Sequence, residues 1–271
     1  MENYGNFSKL FDIDDDKKHL RWLNDHLNDK HLDEINKTRI DGIKQAKQQT
    51  GVTNATVNRV LAVIRSILNC AKNAWEWLET VPSVRLLPEP KKRLRWLTQD
   101  EAARLLRELP KHLEAMARFT LATGLRESNV TGLQWAQLDM QRRCAWIHAD
   151  QAKGNKAIAV PLSDEALAVI CGQIGKHDTY VFTYEGEPVT RANNHAWRKA
   201  LVRAGITDFR WHDLRHTWAS WHVQNGTPLH VLKELGGWAD LTMVLRYAHL
   251  SSKHLEEYAG NSKVVTNLLR T

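Results

Sequence analysis

The chain has 271 residues, of which 42% are hydrophobic and 25% are charged, as is ordinary for a globular protein. Residues 1–90 hold 13 Lys or Arg and 13 Asp or Glu, whereas residues 91–271 hold 25 and 18, so the net charge of +7 lies in the second part. A basic second part favours a polyanionic partner. Because the sequence has no apolar signal region and no apolar run of bilayer length, we expect a cytoplasmic protein with no membrane partner.

The first part of the chain is predicted to be a small helical bundle over residues 12–80. The most periodic segment carries Val57, Val60, Leu61 and Ile64 on one helical face and follows a Thr53 N-cap. Other helices are expected from the acidic run Asp14-Asp15-Asp16, from near Asp33 to Gln49, and in a short stretch through Trp75 and Leu78.

Residues 86–96 read as a basic linker. Pro82, Pro88 and Pro90 interrupt the helical pattern, and the run Lys91-Lys92-Arg93-Leu94-Arg95 follows them. Such a segment is either a solvated connector or a positively charged stretch that lies along the phosphate backbone of a nucleic acid.

The second part is predicted to be mainly helical with one small antiparallel sheet. A capping box at Thr98–Glu101 opens a helix through Leu109, and a helix over 112–122 ends at Gly124. Alternating residues at 144–149 and the run 157–162 predict two strands joined by a turn at Lys153-Gly154-Asn155. Further helices are expected at 163–174, 192–204, 211–224, 229–235 and 241–247.

Several side chains suit phosphate chemistry, although each alone is common in ordinary helices and turns. His212 and Arg215 lie three residues apart on one predicted helix face, which suits a phosphate whose oxygen exchanges a proton. His212 and His216 are also spaced as a possible metal pair, but no third ligand is evident. The sequence contains no H-E-x-x-H, no paired C-x-x-C and no phosphate-binding G-x-x-x-x-G-K-[ST].

Five motifs in order resemble those of the tyrosine recombinases, also called phage integrases, over residues 95–255. They are the turn Ala122-Thr123-Gly124-Leu125-Arg126, Lys153 in a hairpin, His212-Asp213-Leu214-Arg215, Leu235-Gly236-Gly237-Trp238, and Tyr247 nine residues after Trp238. The bundle at 12–80 resembles the family's core-binding domain by architecture only.

The resemblance implies a reaction in which Tyr247 attacks a DNA phosphodiester in line and forms a 3′-phosphotyrosine. Arg126 and Arg215 would hold both non-bridging oxygens, whose charge grows in the transition state. Because the covalent intermediate conserves the bond energy, no cofactor or metal is implied.

Three further roles follow from the same resemblance. His212 would act as base or phosphate ligand, and Lys153 would protonate the departing 5′ oxygen, although Lys156 lies in the same turn. Trp238 stands where many relatives have histidine, and its indole N–H donates but transfers no proton. After the first arginine the family often shows S-E or S-D, whereas this chain has Glu127-Ser128-Asn129-Val130; because Asn129 is uncharged, we expect no acidic accessory role there.

The resemblance also implies an organisation. Residues 1–85 would form the DNA-binding domain, 86–96 the linker, and 97–271 an integrase-type α+β catalytic domain with a tail from about 250. In the family the active unit is a tetramer on two double-stranded DNA sites, with C-terminal segments exchanged between neighbours; the alternative is a tail packed on its own domain.

The implied function is site-specific recombination that integrates or excises a phage or other mobile element. Two alternatives remain at this point: a DNA-binding module without catalysis, and a strand-passing enzyme like the type IB topoisomerases. Residues before 12 are too few for the arm-binding domain of many phage integrases, so the chain is either a two-domain recombinase or part of a longer integrase.

Overall fold

The computed structural model describes residues 13–90, 94–151 and 156–250. The chain divides into two compact units, residues 1–92 and 93–271. The predicted turn at 153–155 and the tail after residue 250 lie outside the described residues. None of the helices in the described ranges is long and apolar enough to cross a membrane.

The first unit is built on α3 (Asn54–Asn73), against which α1 (Ile13–Leu27) and α2 (Lys37–Gln49) pack. The side chain of Thr53 accepts a hydrogen bond from the backbone N–H of Thr56, as its predicted capping role requires. The core is formed by buried aliphatic side chains, among them Leu23, Ile40, Ile43, Val57, Val60, Leu61, Ile64 and Leu68.

Two predictions for this unit were wrong. The segment from Asp33 to Gln49 is not one helix, because a 3₁₀ turn at Leu32–Glu34 ends before Asn36, whose side chain caps α2 at the N–H of Arg39. The helix expected through Trp75 and Leu78 does not form. A backbone hydrogen bond from Trp77 N to Ala71 O closes α3 with a turn instead.

The residues after this turn lie along the bundle as an irregular strap. Leu78, Val81, Val84 and Leu87 pack partly buried against the core. Asn58 fixes the strap because its side-chain amide accepts from Leu87 N at 2.7 Å and donates to Leu87 O at 2.9 Å. The packed apolar residues of 78–87 therefore follow the surface of the bundle and do not need a helical period.

The second unit is mainly helical with small antiparallel sheets, as predicted. Its helices are α4 (Gln99–Glu108), α5 (Lys111–Thr123), α6 (Glu127–Thr131), α7 (Asp164–Cys171), α8 (His195–Arg203), α9 (Trp211–Gln224), α10 (Leu229–Leu235) and α11 (Thr242–Leu245). Its strands are β1 (Leu138–Asp139), β2 (Cys144–Ile147), β3 (Ile158–Pro161), β4 (Thr183–Tyr184) and β5 (Glu187–Pro188).

The strands form a sheet in the order β1-β2-β3 and a separate β4-β5 hairpin, all antiparallel. In the β2-β3 pair, Cys144 lies opposite Pro161 and Ile147 opposite Ile158. Sequence patterns predicted β2 and β3 but missed β1, β4, β5 and α6, which have two to five residues each and are too short to show a period. Lys156 lies two residues before the start of β3.

Two hydrophobic clusters organise the second unit. The larger one surrounds α5, which packs on α7 and α9. The smaller one joins the second half of α9 to α10 and α11, and contains Trp218, Leu232, Trp238, Val244 and Tyr247. The candidate site residues on α9 therefore lie where the two clusters meet.

Candidate active site

Arg215 is the central side chain of the site. It projects from α9, is only 4% exposed, and donates from its two terminal nitrogens to the carbonyl oxygens of Gly124 and Gly236, both at 2.5 Å. These bonds join α9 to the turn after α5 and to the turn after α10. Among the described residues no carboxylate pairs with this buried guanidinium, whose charge is therefore left for an anion to neutralise.

The two glycines are needed where they stand because tryptophan rings occupy the space of a side chain. A Cβ on Gly236 would fall within the ring of Trp238, and one on Gly124 within the ring of Trp218. Gly124 also has a φ of +66°, in the left-handed region. The motifs A-T-G-L-R and L-G-G-W thus share a structural role, because each provides a backbone carbonyl that accepts a hydrogen bond from Arg215.

Arg126 follows the first of these turns and occupies the N-cap position of α6. It is half-buried, and its guanidinium makes no hydrogen bond or ion pair with any residue in the described ranges. Burial and the positive charge of Arg126 lower the pKa of Arg215 to about 9, so that Arg215 remains charged at neutral pH. Burial also lowers the pKa of Arg126 itself. Two guanidinium groups that repel each other, with no carboxylate paired to either among the described residues, are suited to bind an anion.

Tyr247 lies just after α11 and is 1% exposed, within the smaller hydrophobic cluster. Its hydroxyl oxygen is 2.5 Å from Nδ1 of His216. Burial raises the pKa of Tyr247 to about 12, although the charges of Arg215 and Arg246 act in the opposite direction. The hydroxyl therefore carries its proton at neutral pH.

His216 is half-buried and neutral. Burial lowers its pKa to about 3, and the charges of His212, Arg246 and Arg215 contribute in the same direction. A neutral imidazole has one acceptor nitrogen, and in the tautomer that carries its proton on Nε2 this acceptor is Nδ1, which then receives the hydrogen bond of the Tyr247 hydroxyl.

His212 lies one helical turn before His216, and the two rings meet edge to face with centroids 5.0 Å apart. The side chain is exposed at the surface of the site, yet the surrounding protein atoms and the charge of Arg215 lower its pKa. A histidine that is neutral and accessible next to two arginines suits a phosphate ligand.

Trp238 supports both Arg215 and Tyr247. The guanidinium carbon of Arg215 lies 4.2 Å from its ring centroid, and the ring of Tyr247 is tilted against it at 6.1 Å. Trp238 also stacks on Trp218, with ring centroids 6.0 Å apart. The indole therefore forms a wall of the site between the arginine and the tyrosine.

Lys153 lies outside the described residues, but the residues leading to it are held by two amides. Asn129 donates to Gln151 O at 2.9 Å, and Gln137 donates to the side-chain oxygen of Gln151 at 2.8 Å. Lys156 is exposed. The acidic side chain next to Arg126 is engaged elsewhere, because Glu127 accepts from the backbone N–H groups of residues 192 and 193.

Most of the predicted residues come together. His212, Arg215, Trp238 and Tyr247 are connected through direct contacts or through His216, and Arg126 is close enough for its charge to act on Arg215. The sequence prediction considered His216 only as a metal ligand; its contact with Tyr247 depends on how α9 and α11 pack. Within the described ranges no three His, Cys, Asp or Glu residues are grouped to hold a metal ion.

Comparisons with known proteins show the family to which the chain belongs. A model of the phage integrase family matches residues 95–254, more than half of the chain. The integrase of Salmonella phage P22 is 48% identical over 219 residues, which are 76% of this chain and 56% of that protein. The chain thus spans little more than half the length of this curated relative.

Two solved structures share the fold. The catalytic domain of bacteriophage HP1 integrase matches with a TM-score of 0.50 and 27% identity, over 66% of this chain and all of that one. A lambda integrase tetramer bound to a Holliday junction matches with a TM-score of 0.68 and 17% identity, over 85% and 69% of the two chains. The ordered motifs, the site that they form and the family match lead to one conclusion: the chain belongs to the phage integrase family.

Proposed function

We propose that the chain is the DNA-cleaving part of a site-specific recombinase, which cuts and rejoins duplex DNA through a 3′-phosphotyrosine at Tyr247. The observation that carries the proposal is the buried guanidinium of Arg215, which has no carboxylate partner among the described residues and lies with Arg126 beside a buried tyrosine. A scissile phosphate supplies the missing negative charge and the electrophile together.

The roles of the side chains follow from their positions. Arg126 and Arg215 bind the non-bridging oxygens, His212 binds the phosphate from the exposed side, and Trp238 holds Arg215 and Tyr247 in place. Lys153 protonates the leaving 5′ oxygen. The bond energy is conserved in the ester, so the reaction requires neither metal nor nucleotide cofactor.

We propose double-stranded DNA as the partner and a homo-oligomer as the active form. The basic second part supports a DNA partner, and the similar lambda integrase has been solved as a tetramer on a Holliday junction. Residues 1–85 are proposed to bind the core DNA site, 86–96 to link the units, and the tail from about 250 to pack on a neighbouring copy. A cytoplasmic location and integration or excision of a phage genome fit the same proposal.

A covalent-capture selection from a randomised pool of DNA sites tests this function. The purified chain is incubated with duplexes that carry a randomised core and a nick, so that the cleaved strand loses its short end and cannot be rejoined. Protein-linked DNA is recovered under denaturing conditions and sequenced. We expect one enriched core sequence, an adduct at Tyr247, and no adduct with Tyr247→Phe.

The alternatives predict different results. A DNA-binding module without catalysis would retain DNA but form no adduct, and a topoisomerase-like enzyme would link to many sequences and relax supercoiled DNA. If Tyr247→Phe still becomes linked to DNA, another tyrosine, such as Tyr180, Tyr184 or Tyr258, is the nucleophile.

A further inference from the structure

We propose that His216, which the family resemblance left without a role, accepts the proton of Tyr247 when the strand is cut and returns it when the strand is rejoined. This inference rests on the function proposed above, because it assigns a further catalytic residue to the same site. The observation that supports it is the short distance between the imidazole of His216 and the hydroxyl oxygen of Tyr247.

The geometry is specific to one nitrogen. Nδ1 of His216 lies 2.5 Å from the hydroxyl oxygen of Tyr247, and the ring centroids are 5.9 Å apart. Both residues are held by packing, His216 on α9 and Tyr247 within the cluster that joins α9 to α11. A general base must lie within hydrogen-bond reach of the proton that it takes, and His216 meets that requirement.

The other groups that face Tyr247 are unsuited to accept its proton. Arg215 and Arg246 are donors only. The carboxylate of Asp213 accepts from the backbone N–H of Arg210 at 2.8 Å and serves to cap α9. Within the described ranges, the acceptor that contacts the tyrosine hydroxyl is therefore the imidazole of His216.

The electrostatics make the transfer depend on substrate. With no phosphate bound, burial opposes an imidazolium at His216, as do the neighbouring His212, Arg246, Arg215 and Arg210, and the proton stays on Tyr247. A phosphate bound between Arg126 and Arg215 brings negative charge that offsets these cations. The basicity of His216 then rises when the electrophile is in place, so that the nucleophile is activated only on bound DNA.

The step balances as a simple proton transfer. The O–H bond of Tyr247 breaks as a new bond forms between its oxygen and phosphorus, and the proton passes to Nδ1 of His216. The bond from phosphorus to the 5′ oxygen breaks, and that oxygen receives a proton from the general acid proposed at Lys153. During rejoining both protons return, so no oxidant, reductant or further reactant is consumed.

Two substitutions at His216 separate proton transfer from positioning. In His216→Asn, Oδ1 takes the place of Nδ1 and still accepts the hydrogen bond, but it cannot hold a proton at neutral pH. His216→Ala removes both functions. On the core duplex recovered in the selection, we expect single-turnover cleavage to fall at least about 100-fold in both variants, with DNA affinity unchanged.

His222→Asn is the matched control, because His222 is also half-buried on α9 but bonds to Thr227. It should cleave within about twofold of the unmodified chain. Cleavage by His216→Asn at the rate of the unmodified chain would overturn the inference, since hydrogen bonding alone would then suffice.

A more acidic nucleophile distinguishes proton acceptance by His216 from a purely structural role of that residue. Difluorotyrosine is placed at position 247 in the unmodified chain and in His216→Asn. Because this phenol needs less help to lose its proton, the difference in rate between the two backgrounds should shrink at least about tenfold. An unchanged difference would refute proton acceptance by His216.

The failure of this inference is distinguishable from failure of the proposed function. If the unmodified chain forms no adduct, the recombinase proposal fails. If the unmodified chain forms an adduct while His216→Asn matches it, the proposal for the function stands and only the role of His216 is withdrawn.

Discussion

Arg215 and Trp238 form a stacked pair in which the guanidinium carbon lies 4.2 Å from the centroid of the indole ring. The same arginine donates to the carbonyl of Gly236, two residues before the tryptophan. The charge is thus fixed by a ring and a turn of the same motif. Because an indole N–H donates hydrogen bonds but does not transfer protons, the contribution of Trp238 that the structure shows is the ring face that packs against the guanidinium.

The pair predicts a graded response at position 238. Trp238→Phe keeps an aromatic face and should cost about 1–2 kcal/mol of unfolding free energy, whereas Trp238→Ala should cost about 3–5 kcal/mol. If indole N–H donation to the phosphate also matters, Trp238→Phe should cleave at least about tenfold more slowly with unchanged DNA binding. Urea unfolding and single-turnover cleavage check the two effects, and equal stability losses in both variants would contradict the stacking account.

Gly236 and Gly172 provide a matched pair of glycine substitutions. Both end a helix with right-handed backbone angles, but a Cβ on Gly172 would meet its nearest neighbour at 3.4 Å, whereas one on Gly236 would enter the ring of Trp238. We therefore expect Gly236→Ala to lose more than about 2 kcal/mol of stability and most cleavage, and Gly172→Ala to change stability by less than about 1 kcal/mol. Similar unfolding midpoints for the two variants would contradict this prediction.

Substitutions of Arg126 and of Arg215 should differ in their effect on the stability of the chain. Arg126 makes no hydrogen bond to a described residue and repels Arg215, so Arg126→Ala should leave the unfolding midpoint unchanged or slightly raised. Arg215→Ala removes bonds to two carbonyls and should destabilise the chain by about 2–4 kcal/mol. Both variants should cut DNA at least about 100-fold more slowly, with a smaller loss of binding. If cleavage rate and DNA affinity fell by the same factor, the arginines would be ordinary contacts to the DNA backbone.

A substrate with a sulfur atom at the 5′ bridging position tests the general acid. Sulfur leaves without protonation, so it should restore the cleavage rate of Lys153→Ala and should not restore that of Arg215→Ala or His216→Asn. Rescue of Lys156→Ala instead would assign the proton to the second lysine of the segment. If neither lysine variant is rescued, the proton comes from another group.

Acid should destabilise the second unit through His216. Its pKa is about 3 in the folded chain and about 6.5 when unfolded, so the unfolded state binds the extra proton and stability is lost as pH falls from about 6.5 towards 3. This residue should contribute about 2 kcal/mol of destabilisation at pH 5 relative to pH 7. Urea unfolding at both pH values should therefore show a smaller acid effect in His216→Asn than in the unmodified chain. An identical pH dependence would place the imidazole in a more polar environment than described.

The motifs predicted which described residues lie together because they encode backbone requirements as well as chemistry. Gly124 and Gly236 mark turns whose carbonyls bind Arg215, and a sequence pattern retains such glycines even when it does not reveal their purpose. His212 and Arg215 could be placed on one face from their spacing alone. The helical class and the two longer strands were predictable for the same reason, since their periods extend over several residues.

What the sequence did not reveal depends on contacts between distant segments. His216 is 31 residues from Tyr247, and no local pattern distinguishes a histidine that bonds a tyrosine from one that packs in a core. The short stretch through Trp75 and Leu78 was misread as a helix, because the apolar residues from Leu78 onwards pack against α3 as an irregular strap held by Asn58 and follow no period of their own. Tertiary packing overrode local propensity at both places.

The depth of Tyr247 bears on the lifetime of the ester that it is proposed to form. With 1% of its surface exposed, its oxygen lies where bulk water has little access. In the proposed reaction, a phosphotyrosine at this position would be shielded from hydrolysis, and the 5′-hydroxyl of the base-paired DNA strand would be the nucleophile best placed to attack it. If recombination stalled between the two strand cuts, the cut DNA end would stay bound to the protein through Tyr247. Attack by the 5′-hydroxyl would then rejoin the original strand, so no free DNA break would remain.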